Sequence, residues 1–180
     1  MHRIVVVGNT GSGKSTLSRE LSKKLGFPYL ELDSVYHQPD WEPLPEVEFR
    51  ARLADFALQP SWIIDGNYLN IGVRELIWPV ADTLIWLDLP RWVVLPRVIR
   101  RTVKRALTRE ELWNGNKEPW SNFYDPRPDR NVIVWSFVKH SEYRQKFEQA
   151  RSEIDTAHLR MYRLTSTGEV DRFVEGVPVQ

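Results

Sequence analysis

The chain has 180 residues, with 25 Lys and Arg against 24 Asp and Glu, and 42% of its residues are hydrophobic. This balance excludes a disordered or fibrous protein, and the net charge of +1 gives no overall field that would attract nucleic acid or membranes. The lack of cysteine excludes disulfides, thiolate metal sites and a cysteine nucleophile. No apolar stretch is long enough for a signal peptide or a membrane span, so we expect a cytoplasmic protein with one domain over residues 1–180.

Strand and helix patterns alternate along the chain. A β-branched run predicts a first strand buried on both faces, and leucines four residues apart predict the helix that follows it. The predicted strands are 4–7, 29–32, 62–64, 83–87 and 159–164; the predicted helices are 15–25, 46–58, 93–107 and 135–154, with a short last helix capped by Ser166 and Glu169. This alternation predicts a mostly parallel sheet with helices on both faces.

The turn after the first strand matches the phosphate-loop pattern G-x-x-x-x-G-K-[ST]. Its glycines let successive backbone N–H groups point into one anion-sized nest, and the next helix adds the positive end of its dipole. Lys14 is expected to reach the β- and γ-phosphates, and the Ser15 hydroxyl to bind Mg²⁺. The motif predicts that a nucleoside triphosphate binds with Mg²⁺ at Gly8, Asn9, Thr10, Gly11, Ser12, Gly13, Lys14 and Ser15.

Aspartates follow three of the predicted strands, at the sheet edge where ligands bind in folds of this kind. Asp65 is a candidate Mg²⁺ ligand, with a turn or cap role as the alternative. Asp33 is a candidate base for an attacking hydroxyl, with a helix cap as the alternative. For Asp88 a structural role is favoured over support of the phosphate loop.

Residues 90–109 contain seven basic residues and no acidic one. Arg97 and Arg101 are candidates for stabilising the negative charge of a phosphoryl-transfer transition state, and a solvated face or a nucleic-acid patch are the alternatives. On the helix predicted over 93–107, the apolar face that should turn to the core is Leu95, Ile99, Val103 and Ala106, and Pro96 is tolerable only in the first turn. The polar stretch 108–130 is long for a structureless loop, so we expect a lid that excludes water.

Aromatic residues follow both Asp33 and Asp65. Tyr36, His37 and Trp41 come after the first, and Asn67 and Tyr68 after the second. We expect these residues beside the acceptor pocket, where a planar acceptor can stack. Of the eight tryptophans, we expect core positions for Trp62, Trp78, Trp86, Trp92 and Trp135, and lid packing for Trp41, Trp113 and Trp120.

Together, the segments GNTGSGKST, LELDSVYHQPDW, WIIDGNY, DTLIWLDLPRW, RVIRR and WNGNKE closely resemble the topology modulation proteins, a branch of the adenylate-kinase-like P-loop kinases. The resemblance covers residues 1–155 and implies a three-layer P-loop NTPase fold: a five-stranded parallel sheet in the order 2-3-1-4-5, with an acceptor region and a lid. It implies ATP as donor, with Gly11, Gly13, Lys14, Ser15 and Thr16 around its phosphates. Arg97 and Arg101 resemble the lid arginines of nucleotide kinases, and Asp33 resembles the acceptor-side aspartate of shikimate- and gluconate-type kinases.

The chain departs from adenylate kinases after the third strand, where it has Asp65-Gly66-Asn67-Tyr68 in place of Gly-Phe-Pro-Arg. The arginine that holds a nucleoside monophosphate is missing there, and Arg74 is a candidate substitute. The sequence predicts a kinase that moves the γ-phosphate of Mg-ATP to a small hydroxyl-bearing, nucleoside or nucleotide acceptor. The alternatives are an ATP-dependent regulatory protein that contacts nucleic acid, and a slow ATPase whose lid closes on a protein partner.

Overall fold

A computed structural model describes residues 1–153 and 158–178. Five parallel strands form one sheet in the order β2-β3-β1-β4-β5. They are β1 (Arg3–Gly8), β2 (Tyr29–Glu31), β3 (Trp62–Asp65), β4 (Thr83–Leu87) and β5 (Arg160–Leu164). The predicted fold class and strand order are confirmed.

Helices connect the strands and cover both faces of the sheet. In the described residues they are α1 (Lys14–Leu25), α2 (Leu32–Tyr36), α3 (Glu46–Ala57), α4 (Arg91–Thr108), α5 (Val132–Glu153) and α6 (Thr167–Gly176). Of these, α2 was not predicted, and the predicted end of α5 at Ile154 lies outside the described residues. No helix of the described part combines the length and hydrophobicity that a membrane crossing requires.

The central strand β1 divides the core into two layers. Val5 and Val7 belong to the layer that contains Phe49 of α3 and Phe147 of α5, whereas Ile4 and Val6 belong to the layer that contains leucines of α1. All four β1 side chains are fully buried. Alternate residues of a strand point to opposite faces, so a continuous apolar run suits a strand covered on both sides.

The structure corrects the predicted orientation of α4. Its buried residues are Val94, Val98, Thr102 and Ala106, whereas Ile99 and Val103 are 41% and 37% exposed. The buried row fits closely against the phosphate loop, where a Cβ on Gly11 would come within 2.4 Å of Val98 Cγ2. The predicted core face of α4 was therefore wrong, except at Ala106.

The predictions for Trp92 and Pro96, both on α4, are also wrong. Trp92 is 79% exposed, although the other predicted core tryptophans are buried or partly buried. Pro96 lies in the second turn rather than the first, on the exposed side of the helix. Proline has no backbone N–H to donate, but α4 continues past Pro96, which lies on the solvent side of the helix.

The segment predicted as a lid contains short helical turns. They are Trp113–Gly115, Trp120–Phe123 and Pro128–Arg130. The last two lie against α5, and the first lies against the turn Pro39–Trp41 that follows α2. The segment is thus packed between α5 and the region after β2.

Candidate active site

A cleft of about 1490 Å³ opens at the carboxyl ends of the strands. The turns after β1, β2 and β3 line it together with α4, the lid segment and α5. Of the residues predicted for the site, the lining includes Thr10, Gly11, Ser12, Gly13, Lys14, Ser15, Thr16, Asp33, Arg97 and Arg101. Gly8, Asn9 and the buried Asp65 lie behind this lining.

The phosphate loop is fixed from two sides. Asn67 donates from Nδ2 to the Gly8 carbonyl at 2.9 Å, and its Oδ1 accepts from the Gly8 N–H at 3.1 Å. On the other side, Asn9 Nδ2 donates to the carbonyl of Ser136 on α5 at 2.9 Å. Asn67 was expected beside an acceptor and Ser136 was not predicted; both hold the loop in place.

Lys14 lies across its own loop. Its Nζ donates to the carbonyl oxygens of Gly8 at 2.9 Å and Asn9 at 3.2 Å. Burial lowers the pKa of Lys14, and the nearby carboxylates of Asp65 and Asp33 act in the opposite direction. The ammonium group thus sits where an anion bound by the loop would meet it.

Oxygen atoms gather beside the loop, at the ends of β2 and β3. The Ser15 hydroxyl donates to Glu31 Oε1 at 2.8 Å, and Glu31 lies opposite Asp65 in the sheet register. Arg19 forms an ion pair with Glu31 at 3.1 Å. Glu31 was missed by the sequence analysis, although its place at the end of β2, two residues before Asp33, was a usable signal.

Asp65 is held by a tyrosine of the neighbouring strand. Tyr29 donates its hydroxyl to Asp65 Oδ2 at 2.6 Å. Burial raises the pKa of Asp65 to about 6, against the opposing effect of Lys14. Hydroxyl and carboxylate oxygens are ligands that Mg²⁺ prefers. Among the described residues, no group of three acidic, histidine or cysteine side chains is placed to hold a metal ion.

Asp33 lies in the first turn of α2, because β2 ends two residues earlier at Glu31. This corrects its expected position at a strand end. Its Oδ1 accepts the hydroxyl of Tyr68 at 2.6 Å, a bond that also helps raise the pKa of Tyr68, whose main cause is burial. Asp33 is not the residue that precedes α2, which is Glu31, so the cap alternative has no support here.

The two candidate arginines of α4 face different neighbours. Arg101 is largely buried; burial and the adjacent Arg105 lower its pKa, and the charges of Glu118 and Asp33 act against this. Arg97 is exposed and donates from Nη2 to Thr167 Oγ1 at 3.0 Å, at the start of α6. Only Arg101 therefore faces the carboxylates after β2.

Glu118 brings a buried carboxylate from the lid segment to α4. It is 6% exposed, accepts a hydrogen bond from Asn122 Nδ2 at 2.6 Å and pairs with Arg105 at 3.9 Å. Burial raises the pKa of Glu118, although the charges of Arg101 and Arg105 oppose the rise. The sequence analysis did not give this residue a role.

The lid segment is bonded to the region after β2. Asn114 Nδ2 donates to the carbonyls of Ser34 at 3.1 Å and His37 at 2.5 Å. Asn116 accepts the Trp41 N–H at 2.9 Å and donates to the Gln38 carbonyl at 2.8 Å. These bonds place the WNGNKE segment over the residues that follow Asp33.

Asp88 and Arg74 take no part in the phosphate loop. Asp88 pairs with Arg163 of β5 at 2.5 Å and with Arg144 of α5 at 3.4 Å, and the Arg163 guanidinium lies 4.5 Å from the centre of the Trp86 ring. This arrangement supports the structural role expected for Asp88. Arg74 is exposed and is not part of the cleft lining, so its suggested role as a substitute arginine has no support.

Comparison with known proteins points to one class of enzyme. No family model matches the chain. It is 27% identical to the shikimate kinase of Brucella canis over 92% of this chain and 88% of that protein, and 28% identical to the uncharacterized protein YqaC of Bacillus subtilis over 68% and 72%. Among solved structures, it matches a shikimate kinase from Acinetobacter baumannii in complex with shikimate (TM-score 0.55, 17% identity, 97% and 89% coverage) and a gluconokinase from Sinorhizobium meliloti (TM-score 0.51, 18% identity, 97% and 94% coverage).

The two solved structures show the fold, which is that of P-loop kinases. The curated relatives add similarity in sequence to shikimate kinases. With the complete phosphate-loop motif, these findings support a nucleotide-binding P-loop kinase, a class that uses ATP with Mg²⁺. They do not name the acceptor.

Proposed function

We propose that the chain is a Mg-ATP-dependent phosphotransferase for a small hydroxyl-bearing acceptor. The observation behind the proposal is that one cleft joins a phosphate loop, a group of oxygens suited to Mg²⁺, and a carboxylate with a buried guanidinium. These are the parts that phosphoryl transfer needs, because its catalysis consists mainly of positioning and charge stabilisation. The arrangement as one domain with a lid over residues 108–130, the cytoplasmic location and the membership of the topology modulation proteins are parts of the proposal.

On the donor side, the backbone of residues 8–16 binds the phosphates of ATP and Lys14 reaches the β- and γ-phosphates. Ser15 and Asp65, with Glu31 beside them, hold the Mg²⁺ ion. Bound there, Mg²⁺ neutralises charge on the phosphate oxygens. Tyr29 keeps the Asp65 carboxylate oriented through their hydrogen bond.

On the acceptor side, Asp33 accepts the proton of the attacking hydroxyl and Tyr68 fixes its orientation. Arg101 stabilises the charge that develops on the transferred group. Arg97 acts from the side of α6, one helical turn away. The lid segment excludes water, so that the acceptor rather than water receives the phosphoryl group.

The test is ATP consumption with a pool of nucleosides, nucleotides, hydroxy acids and polyols, beside a reaction without acceptor. Lys14→Ala should lower turnover at least about 100-fold, since phosphate contacts dominate this chemistry. Its matched control is Lys23→Ala, at an exposed lysine of the same helix. Unchanged phosphoryl transfer in Lys14→Ala, with the fold verified by circular dichroism, would refute the proposal.

Asp33→Asn separates the two sides of the cleft. We expect it to keep ATP affinity and to lose acceptor-dependent turnover by about 100-fold or more, the usual contribution of a general base. Asp55→Asn, at an exposed position of α3, is the control. If Asp33→Asn retains acceptor-dependent turnover, Asp33 has no catalytic role.

The regulatory alternative has no support from the comparisons. The structure also weakens its physical basis. Arg101 and Arg105, which a nucleic-acid surface would present outward, are partly buried in the cleft, and the exposed Arg97 lies at its rim and donates to Thr167. A slow ATPase is the outcome if no acceptor raises the rate above the reaction without acceptor.

A further inference from the structure

The acceptor side of the cleft is built mainly from aromatic rings. Five of them form one connected cluster: Tyr36, His37, Trp41, Tyr68 and Trp113. Trp113 comes from the lid segment and stacks on His37, with ring centres 5.8 Å apart and planes at 21°. The region after β2 and the lid thus form a shared aromatic wall beside Asp33.

This wall has little positive charge. His37 is the one wall residue that is able to become a cation, and burial lowers its pKa, so its ring is neutral at neutral pH. Asp33 and Glu118 place negative charge on the same side of the cleft. An acceptor that brings its own negative charge is repelled by these carboxylates unless a cation is reserved for it.

Most of the basic residues that line the cleft form an ion pair with a carboxylate. In the part of the chain that the structure describes, nine Lys and Arg line the cleft, and six pair with a carboxylate within 4.0 Å. The six are Arg19, Arg105, Arg127, Arg130, Lys139 and Lys146. The other three are Lys14, Arg97 and Arg101, which the proposed function assigns to ATP and the transferred group.

Arg105 is the paired cation that contacts the lid carboxylate. Its partner Glu118 is buried and also accepts the amide of Asn122. If Arg105 turned to an anionic acceptor, the buried Glu118 carboxylate would lose its paired cation and keep only the charge of Arg101 nearby, which is unfavourable. The ion pair with Glu118 therefore disfavours contact between the Arg105 guanidinium and an anionic acceptor.

We infer that the acceptor is an uncharged hydroxyl compound with a flat ring, of the nucleoside kind, rather than an acid or a phosphate monoester. This inference rests on the proposed function. The ring stacks against the wall formed by Trp113 and Trp41, and one of its hydroxyls lies at Asp33. No anion-holding residue is required, because the molecule has no charge to neutralise.

The test compares compounds that share a ring and differ in whether they carry an anionic group. The four ribonucleosides are matched with their 5′-monophosphates, and shikimate methyl ester with shikimate. Binding is measured by calorimetry on the full chain with Mg²⁺ and a non-hydrolysable ATP analogue. We expect at least one neutral compound to bind about tenfold or more tightly than its charged partner. The inference is overturned if charged members bind as well or better, or if no neutral ring compound binds.

Variants test the two physical reasons separately. Trp113→Ala should weaken binding of the neutral compound about tenfold, and Trp113→Phe should restore most of it, because a ring remains to stack. Trp92→Ala, at an exposed tryptophan outside the cleft lining, should have no effect. Equal effects of Trp113→Ala and Trp92→Ala would refute stacking on the wall.

The double substitution Glu118→Gln with Glu110→Gln frees Arg105 from both carboxylates that pair with it, at 3.9 and 3.7 Å, without changing the size of either side chain. We expect it to reduce the preference for the neutral compound by about threefold or more, since a cation becomes available to the charged one. An unchanged preference would show that the pairing does not exclude anions. Phosphorus NMR of the product tests the proposed function itself: tight binding without phosphoryl transfer refutes the kinase and leaves the preference for uncharged ligands standing.

Discussion

Replacing Asp65 by asparagine should make the protein more stable at neutral pH while it loses activity. The carboxyl is 2% exposed and lies behind the cleft lining. Burial raises its pKa to about 6 from an ordinary value of 3.8, despite the opposing charge of Lys14. Ionised Asp65 is therefore costly to the folded state, and an isosteric amide, which still accepts the Tyr29 hydroxyl, removes this cost.

The size and pH range of the effect follow from linkage. A folded pKa above the unfolded one means that the folded state binds more protons between pH 4 and 6, so the free energy of unfolding falls as pH rises through this range. The difference between 6 and 3.8, at about 1.4 kcal/mol per pKa unit, gives roughly 3 kcal/mol. The gain from Asp65→Asn is thus near zero at pH 4 and is complete above pH 7.

Urea unfolding of both proteins at several pH values, without Mg²⁺ or nucleotide, measures the difference directly. Subtracting the two curves cancels the titration of every other group that the substitution leaves unchanged. ATP turnover of the variant should fall sharply, because the substitution removes the carboxylate that we propose as a Mg²⁺ ligand. A difference in unfolding free energy that stays constant from pH 4 to 8 would refute the reasoning, and so would full activity of the variant.

Gly11→Ala should lower the free energy of unfolding by about 2–4 kcal/mol, because the residue has φ +82° and its new Cβ would lie 2.4 Å from a Val98 methyl. Gly13→Ala is the matched comparison: φ is +100°, but a Cβ there would meet no atom within 4 Å. It should therefore lower the free energy of unfolding by only about 1–2 kcal/mol, through backbone strain. Urea unfolding that gives equal losses would contradict the steric part. Asn116→Ala removes three hydrogen bonds of the lid and should raise the KM of the acceptor more than that of ATP in steady-state kinetics; equal changes would count against the lid contact. Asp88→Asn should cost roughly 2–3 kcal/mol of stability and leave ATP affinity unchanged, as denaturation and nucleotide titration together will show; reduced affinity at unchanged stability would disprove a purely structural role.

The sequence predicts the local fold around the phosphate loop well because its signals are local. The β-branched run of β1, the glycine loop and the leucines of α1 are consecutive in the chain, and each reports its own environment. Asp33 was misplaced because Leu32 fits a strand and a helix equally. Only the pairing of Glu31 with β3 shows where the strand ends.

The error on α4 has a different cause. Two apolar rows with four-residue spacing lie side by side on this helix, one through Val94 and Val98 and the other through Leu95 and Ile99. Periodicity alone gives both rows the same weight. The choice is made by a neighbour distant in sequence, since Val98 packs against Gly11 of the phosphate loop.

The acceptor half was least predictable because its parts are far apart in the chain. Asn116 contacts Gln38, which is 78 residues away, and Asn114 contacts Ser34 across 80 residues. A sequence pattern marks the two asparagines as polar loop residues and gives no sign of their partners. Glu118 and Arg105 form a pair for which neither local segment gives a reason.

These contacts join the lid segment to the acceptor side of the cleft. The lid segment follows α4, which packs on the phosphate loop, yet the bonds of its first turn go to residues 34–41 beside Asp33. An acceptor that displaces Trp113 from His37 therefore acts on the lid directly. Glu118 of the same segment pairs with Arg105, and Arg105 is the charge that, after burial, most lowers the pKa of Arg101. We therefore expect acceptor binding to change the charge environment of Arg101 through these lid residues.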